Sequence, residues 1–113
     1  MVQPIPDGYT AVTPYIIVDG AAEAIDFYAN AFDAEEFMRL PNPETGKLLH
    51  AEITINGAHI MLGDTNPEMG AMDPRALGGI AASITLYLPD MDAPFAQAVK
   101  AGAEVKSPPM DMF

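Results

Sequence analysis

The chain has 113 residues and 50% of them are hydrophobic, which is enough for one buried core. Sixteen acidic residues against five basic ones give a formal net charge of −11, so nucleic acid and anionic membrane surfaces are not expected as partners. No cysteine is present, which excludes disulfides and cysteine-ligated metals and fits a cytoplasmic location. The N-terminal residues contain neither a basic region nor a long apolar run, so a signal peptide is not predicted.

The predicted elements alternate between strand and helix, which indicates an α+β fold. Runs rich in β-branched and aromatic residues predict strands, and apolar residues at helical spacing predict helices. Asp19 is the predicted N-cap of the first helix, and Asn56-Gly57 is typical of a two-residue hairpin turn. In chain order we expect strand 10–18, helix 21–32, strand 34–40, strand 48–55, strand 58–63, strand 81–88, helix 91–101 and a strand starting at 103.

A weak internal repeat predicts paired βαβββ modules. The order strand, acidic turn, helix and Ala-Glu occurs twice, from Asp19 to Glu35 and from Asp90 to Glu104. Module one covers about 9–64, a linker 65–80, and a partial module two 81–113. Because an incomplete copy leaves an unpaired sheet edge, we expect either that the last two strands are missing from this sequence or that another subunit supplies the pairing.

Alternation within the strands predicts one apolar sheet face under the helix and one open, more polar face. We expect the open face to line a semi-polar pocket for a small molecule, the alternative being a solvated outer face. In one assignment of the fourth strand, Met61 packs against the core and Leu62 lies on the open face. His59 then lies on the opposite face from His50 and Glu52, as a structural or surface residue. The predicted pocket residues are Thr13, Tyr15, His50, Glu52, Leu62, Ser83, Thr85 and Tyr87.

His50 and Glu52 are the candidate catalytic residues. They lie two positions apart on one strand and therefore share a face, where a carboxylate beside an imidazole can tune a general base. The alternative is that His50 is a partly exposed strand residue and Glu52 pairs with Arg39 or Lys47. A binding role is favoured over a catalytic one for both, and the catalytic residues stay unknown.

Several stretches carry a family resemblance. The run 13–28, which includes Ile25-Asp26-Phe27-Tyr28, and the following 31–35 resemble the opening of vicinal-oxygen-chelate proteins, the glyoxalase/bleomycin-resistance/dioxygenase group, and more narrowly its PhnB-like branch. The other matching stretches are His50-Ala51-Glu52-Ile53, Asn56-Gly57, Met61-Leu62, Pro67-Glu68-Met69-Gly70, Leu77-Gly78-Gly79, Leu86-Tyr87-Leu88, Ala98-Val99 and Gly102-Ala103.

The resemblance implies two modules that curl around a cleft, a homodimer and, in some members, a divalent metal. The family's closing hairpin and turn would come after Phe113, in agreement with the repeat count. Its metal-ligand positions fall on Thr13, Leu62 and Ser83, whose side chains are poor ligands, so no metal or other cofactor is predicted although a divalent metal is possible.

Three functions remain open. The favoured one is a metal-free protein that binds a small molecule in the concave pocket. The alternatives are a metal-dependent lyase or dioxygenase of the vicinal-oxygen-chelate type and a module that serves only dimerisation. One fold hosts many chemistries, so the resemblance does not choose between them.

Overall fold

The computed structural model describes residues 3–107, and their elements follow the predicted α+β order through the first module. A short 3-10 turn at Pro67–Met69 follows the last strand. The elements are β1 (Tyr15–Val18), α1 (Ala21–Phe32), β2 (Glu35–Pro41), β3 (Leu48–Ile55), β4 (Ala58–Asp64), α2 (Pro74–Leu77) and α3 (Asp92–Lys100).

The strands form one mixed sheet in the order β1-β4-β3-β2. β3 and β4 pair antiparallel through the predicted hairpin, in which Asn56 and Gly57 both have positive φ, 49° and 86°. Two consecutive residues with positive φ match the twist of a tight hairpin, and this fixes Ile55 opposite Ala58. β1 lies parallel to β4 because α1 carries the chain back across the sheet.

The core lies between α1 and one face of the sheet. Ile53 and Leu62 are the largest fully buried side chains, and α1 contributes Ala21 and Ile25 to the same apolar cluster. The assignment that placed Leu62 on the open face is therefore wrong. Leu62 pairs with Ala51, which also faces the core, so β4 turns Leu62 inward and its neighbour Met61 outward.

The start of α1 is capped by a residue distant in sequence. The predicted cap, Asp19, is wrong: the N-cap position is Gly20, and the carboxylate of Asp64 accepts hydrogen bonds from the N–H groups of Gly20 (2.9 Å) and Ala21 (2.8 Å). Its other oxygen accepts from Leu48 N–H at 2.7 Å. Asp64 thus joins the end of β4 to the starts of α1 and β3, and satisfies donors that the helix leaves unpaired.

The second predicted unit departs from expectation. Residues 81–88 have no strand pairing in the described part of the chain, and 103–106 form none either. Alternation is a local pattern, whereas a strand requires a neighbour with free backbone groups. The second helix does form as α3, and Gln97 ties it to α1 by donating to the carbonyl of Asn30 (2.9 Å) and the carboxylate of Asp33 (2.8 Å).

Candidate functional site

The open face of the sheet brings three predicted site residues into hydrogen-bond contact. Tyr15 on β1 and Glu52 on β3 both pair with Met61 on β4, so the three lie side by side across the sheet. His50 completes the group: its Nδ1 lies 3.1 Å from the Tyr15 hydroxyl and its Nε2 lies 3.1 Å from Glu52 Oε1. The predicted proximity of Tyr15, His50 and Glu52 is therefore seen in the structure.

A glycine makes room for this arrangement. Gly63 is the next residue of β4 on the same face, and a Cβ atom there would lie 3.0 Å from the Tyr15 hydroxyl and 3.1 Å from the carbonyl oxygen of Leu49. Both distances are tighter than ordinary contact, so a larger residue would push the Tyr15 ring away. The Tyr15 hydroxyl also lies 3.4 Å from that Leu49 oxygen, which is a more distant, alternative acceptor for its single hydrogen.

Two further residues join the group although the sequence did not predict them. Tyr9, which precedes β1, donates its hydroxyl hydrogen to Glu52 Oε2. Its ring stacks on His59 of β4, with 3.9 Å between ring centroids and 23° between planes. Together with the three predicted residues these form what we name the open-face cluster: Tyr9, Tyr15, His50, Glu52 and His59.

His59 could have been placed from the hairpin alone. A two-residue turn at Asn56-Gly57 pairs Ile55 with the first residue of β4 and therefore Thr54 with His59. Paired residues point to the same side of a sheet, and Thr54 shares a face with Glu52. The prediction that His59 lies on the opposite face from His50 and Glu52 is wrong for this reason. Tyr9 carries no comparable signal, because it lies in a segment without periodic pattern.

Electrostatics keep Glu52 ionised although only 6% of it is exposed. Burial raises the pKa of Glu52, but the hydrogen bonds from Tyr9 and His50, together with the attraction to His50 and His59 when these are protonated, outweigh it, so the pKa is lowered. The carboxylate in turn raises the pKa of Tyr9, chiefly through their hydrogen bond. The alternative pairing of Glu52 with Arg39 is not seen, since Arg39 bonds Glu36 at 2.7 Å.

The acceptor character of Glu52 sets the hydrogen positions in the cluster. An ionised carboxylate only accepts, so His50 donates from Nε2 to Glu52. In the neutral ring Nδ1 then accepts from the Tyr15 hydroxyl. The result is a continuous chain of hydrogen bonds from Tyr15 through His50 to Glu52, with Tyr9 donating to the far oxygen.

His59 is held on two sides but lacks a polar partner. Its Nδ1 is buried and makes no hydrogen bond within residues 3–107, and it lies 3.9 Å from Glu52 Oε2. Phe37 on the bulged part of β2 meets the His59 ring edge-on at 5.4 Å. A buried nitrogen without a hydrogen-bond partner is uncommon in folded proteins.

Exposed apolar side chains border the cluster on the β2 side. Met38 pairs with Glu52 and Leu40 pairs with His50, which puts both on the open face. Leu40 is 51% exposed and Phe37 60% exposed. A polar centre with an apolar border is the arrangement that small-molecule sites commonly have.

Five of the predicted pocket residues lie outside this cluster. Leu62 faces the core, and Tyr87 is 92% exposed. Ser83 lines a separate apolar cleft of about 630 Å³ on the helix side of the sheet, where it faces Ile53 and Ile60. Thr85 is exposed in the same unpaired segment as Ser83, whereas Thr13 lies half-buried just before β1.

The three positions implied as metal ligands do not converge. Leu62 points into the core, Ser83 borders the helix-side cleft, and Thr13 precedes β1. Within residues 3–107 no group of three or more His, Asp or Glu side chains has the arrangement needed to hold a metal ion. Thr13, Leu62 and Ser83 therefore do not fit a metal centre.

The resemblance found in the sequence agrees with comparisons to known proteins. A family profile described as Glyoxalase/Bleomycin resistance protein/Dioxygenase superfamily matches residues 8–113. The chain belongs to this superfamily. An uncharacterized protein of Mycobacterium bovis is 49% identical over 98 residues, which cover 84% of this chain and 64% of the relative. A Mycobacterium tuberculosis relative shares the same identity and is covered to 57%, so the chain spans about six tenths of the length of these relatives.

Two solved structures show the same fold. A gene product of Arabidopsis thaliana is similar with a TM-score of 0.65 and 23% identity, covering 87% of this chain and 80% of its own. TioX from Micromonospora sp. ML1 also has a TM-score of 0.65, with 20% identity, 90% of this chain and 78% of its own covered. Both confirm the glyoxalase-like α+β fold. In the described part of the chain, no helix has the length and apolar character needed to cross a bilayer.

Proposed function

We propose that this superfamily member binds a small organic molecule on the open face of its sheet, over the open-face cluster. The observation that carries the proposal is the hydrogen-bonded chain Tyr15–His50–Glu52 at the centre of that face. Such a chain fixes donor and acceptor directions before any ligand arrives, which lowers the entropy lost on binding.

Accessible polar atoms support a direct role in binding. Tyr15 is 46% exposed and the His50 side chain 26% exposed, whereas Glu52 is nearly covered. We therefore assign contact with the ligand to Tyr15 and His50, and assign to Glu52 the orientation of the His50 ring. Met38 and Leu40 beside them supply apolar contact for the rest of the molecule.

The pair His50–Glu52 also has the composition of a general base, in which the carboxylate orients the imidazole and stabilises its protonated form. The metal-dependent lyase or dioxygenase remains the alternative; it gains no support from Thr13, Leu62 and Ser83.

A fragment screen read by NMR tests the proposal. Fragments that bind the intact chain are expected to shift the ring signals of His50 and the backbone signals around Tyr15 and Glu52. His50→Ala should abolish these shifts, and Ser83→Ala, which alters only the helix-side cleft, should leave them unchanged. Fragments that shift only signals of the helix-side cleft, or binding that survives His50→Ala, would contradict the proposal.

Assembly and module boundaries are part of the same proposal. We propose a homodimer, because the segment after α2 exposes large apolar side chains, with Ile80 72% and Tyr87 92% exposed. Light scattering on the purified chain measures this directly. The division into 9–64, 65–80 and 81–113 and the cytoplasmic location stay predictions.

A further inference from the structure

Tyr9 is held in the cluster by its side chain rather than by its backbone. Residues 3–14, which precede β1, contain no helix or strand, and most of them are exposed. Tyr9 makes one backbone hydrogen bond, from its N–H to the carbonyl of Pro6 at 3.0 Å, and Gly8 beside it has φ of 87°. A segment with few backbone contacts opens at low cost compared with a paired strand.

The Tyr9 ring occupies a half-exposed position against the sheet, which we call the slot and which is bounded by His59 and Glu52. His59 lies flat against the ring at 3.9 Å, Phe37 stands edge-on to His59, and Glu52 accepts the hydroxyl hydrogen. Strands β2, β3 and β4 hold these three residues in place independently of Tyr9. The slot therefore has the two features that recognise a phenol: a planar stacking surface and a charged acceptor at the hydroxyl position.

The unpaired nitrogen of His59 points to the same slot. Nδ1 is buried, finds no partner within residues 3–107, and lies 3.9 Å from the oxygen that Tyr9 bonds. Tyr9 satisfies Glu52 but leaves this nitrogen unbonded. A ligand that carries a second polar group beside its hydroxyl can satisfy both atoms, which Tyr9 cannot do.

We propose that the slot between His59 and Glu52 is a subsite for an aromatic hydroxyl group, and that Tyr9 occupies it until a phenolic ligand displaces it. The inference rests on the proposed function and names the ligand class for one part of the open face. It also makes Tyr9 a specificity-determining residue, because only a group that stacks and donates a hydrogen bond replaces what Tyr9 provides.

Competition by Tyr9 has a measurable consequence. A group tethered by a short flexible segment acts at an effective concentration of order millimolar. Apparent affinity for an external phenol falls in proportion to the fraction of time that the slot is open. Removing the Tyr9 side chain should therefore raise the affinity for a simple phenol about tenfold or more.

The test uses 4-methylphenol, which is the tyrosine side chain as a free molecule, titrated by NMR into the intact chain. Tyr9→Ala should bind it about tenfold more tightly than the unaltered protein, with the His59 ring signals shifting. Tyr9→Phe, which keeps the ring but removes the hydroxyl, should give an intermediate gain and serves if Tyr9→Ala does not fold. Met69→Ala, at a residue 80% exposed in the 3-10 turn after β4, is the control and should change nothing.

Two further arms identify the chemistry. 4-Methylanisole lacks the hydroxyl hydrogen and should bind Tyr9→Ala about tenfold more weakly than 4-methylphenol. The double variant Tyr9→Ala with Glu52→Gln should lose this difference. Equal affinity of 4-methylphenol for the unaltered protein and both Tyr9 variants would overturn the inference. If screened fragments still bind over His50 in that case, the proposed function stands without it.

Discussion

Asp64 offers the sharpest test of how the structure is held together. Replacing it by alanine removes the acceptor of three backbone N–H groups, those of Gly20, Ala21 and Leu48. Ala21 is fully buried and Leu48 is 3% exposed, so water cannot take over as acceptor without opening the structure. The three donors belong to two different elements, which means that the loss affects the start of α1 and the start of β3 together.

The expected cost follows from these contacts. Loss of a helix N-cap destabilises a protein by about 0.5–2 kcal/mol. A buried donor left unpaired costs about 1–3 kcal/mol more. Asp64→Ala should therefore lower the free energy of unfolding by about 1.5–5 kcal/mol. This is a large part of the stability of a typical domain, which is about 5–15 kcal/mol. Urea unfolding at neutral pH, extrapolated linearly to zero denaturant, measures the difference.

The pH dependence separates a charged cap from a merely polar one. Burial raises the pKa of Asp64, but the three N–H groups and Lys47 outweigh it, so the folded-state pKa lies below the ordinary value of 3.8. A carboxyl with a lowered pKa contributes its full stabilisation above the ordinary value and loses it as pH falls through the folded-state pKa. The difference between Asp64 and Asp64→Asn should therefore be greatest near neutral pH and shrink in acid.

Asp19→Ala is the matched control, because the sequence pattern makes Asp19 the cap whereas the structure gives that role to Asp64. We expect it to change the unfolding free energy by less than about 0.5 kcal/mol, as is usual for surface substitutions. A larger loss for Asp19→Ala than for Asp64→Ala, or a loss for Asp64→Ala that does not depend on pH, would refute the reasoning.

Two further predictions concern the two faces of the sheet. Leu62→Ala should lower the free energy of unfolding by about 2–5 kcal/mol because it opens a cavity in a fully buried site. Met61→Ala, on the open face, should lower it by less than half as much. Equal losses in urea unfolding would contradict the placement of Leu62 in the core and Met61 on the open face. Glu52→Gln weakens the hydrogen bond and removes the charge that raise the pKa of Tyr9, so the pKa of that phenol should fall toward its ordinary value. Spectroscopic titration of the phenolate, with Tyr9→Phe as the blank, measures it, and an unchanged titration would exclude the Tyr9–Glu52 contact.

The first module was predictable because its signals are local. The apolar spacing of α1 gave its bounds, Ala21–Phe32, and strict alternation gave β3 as Leu48–Ile55. The hairpin needed only Asn56 and Gly57, whose positive φ values are tolerated by few other residues. In each case the determining interactions lie within a few residues of one another.

Long-range contacts account for the errors. The cap of α1 is Asp64, which lies 44 positions beyond Gly20. The residues near the start of the helix therefore contain no signal that predicts it. Strand 81–88 has the alternating pattern but no paired neighbour within the described residues, so the pattern alone did not produce a strand. Ser83, Thr85 and Tyr87 are assigned to the pocket through that predicted strand, whereas in the structure Ser83 lines the helix-side cleft.

The open-face cluster shows how much of a site the alternation of side chains along strands can predict. Tyr15, His50 and Glu52 were brought together correctly because each lies on a strand with known alternation, and shared pairing with β4 then places them side by side. The same rule, applied through the hairpin, would have added His59. Tyr9 lies outside any strand, so only the folded structure reveals that its hydroxyl reaches Glu52. Because Tyr9 lies outside the strands, periodicity does not predict its position and strand pairing does not hold it in place. Among the five residues of the cluster, Tyr9 is therefore the one that a ligand can displace.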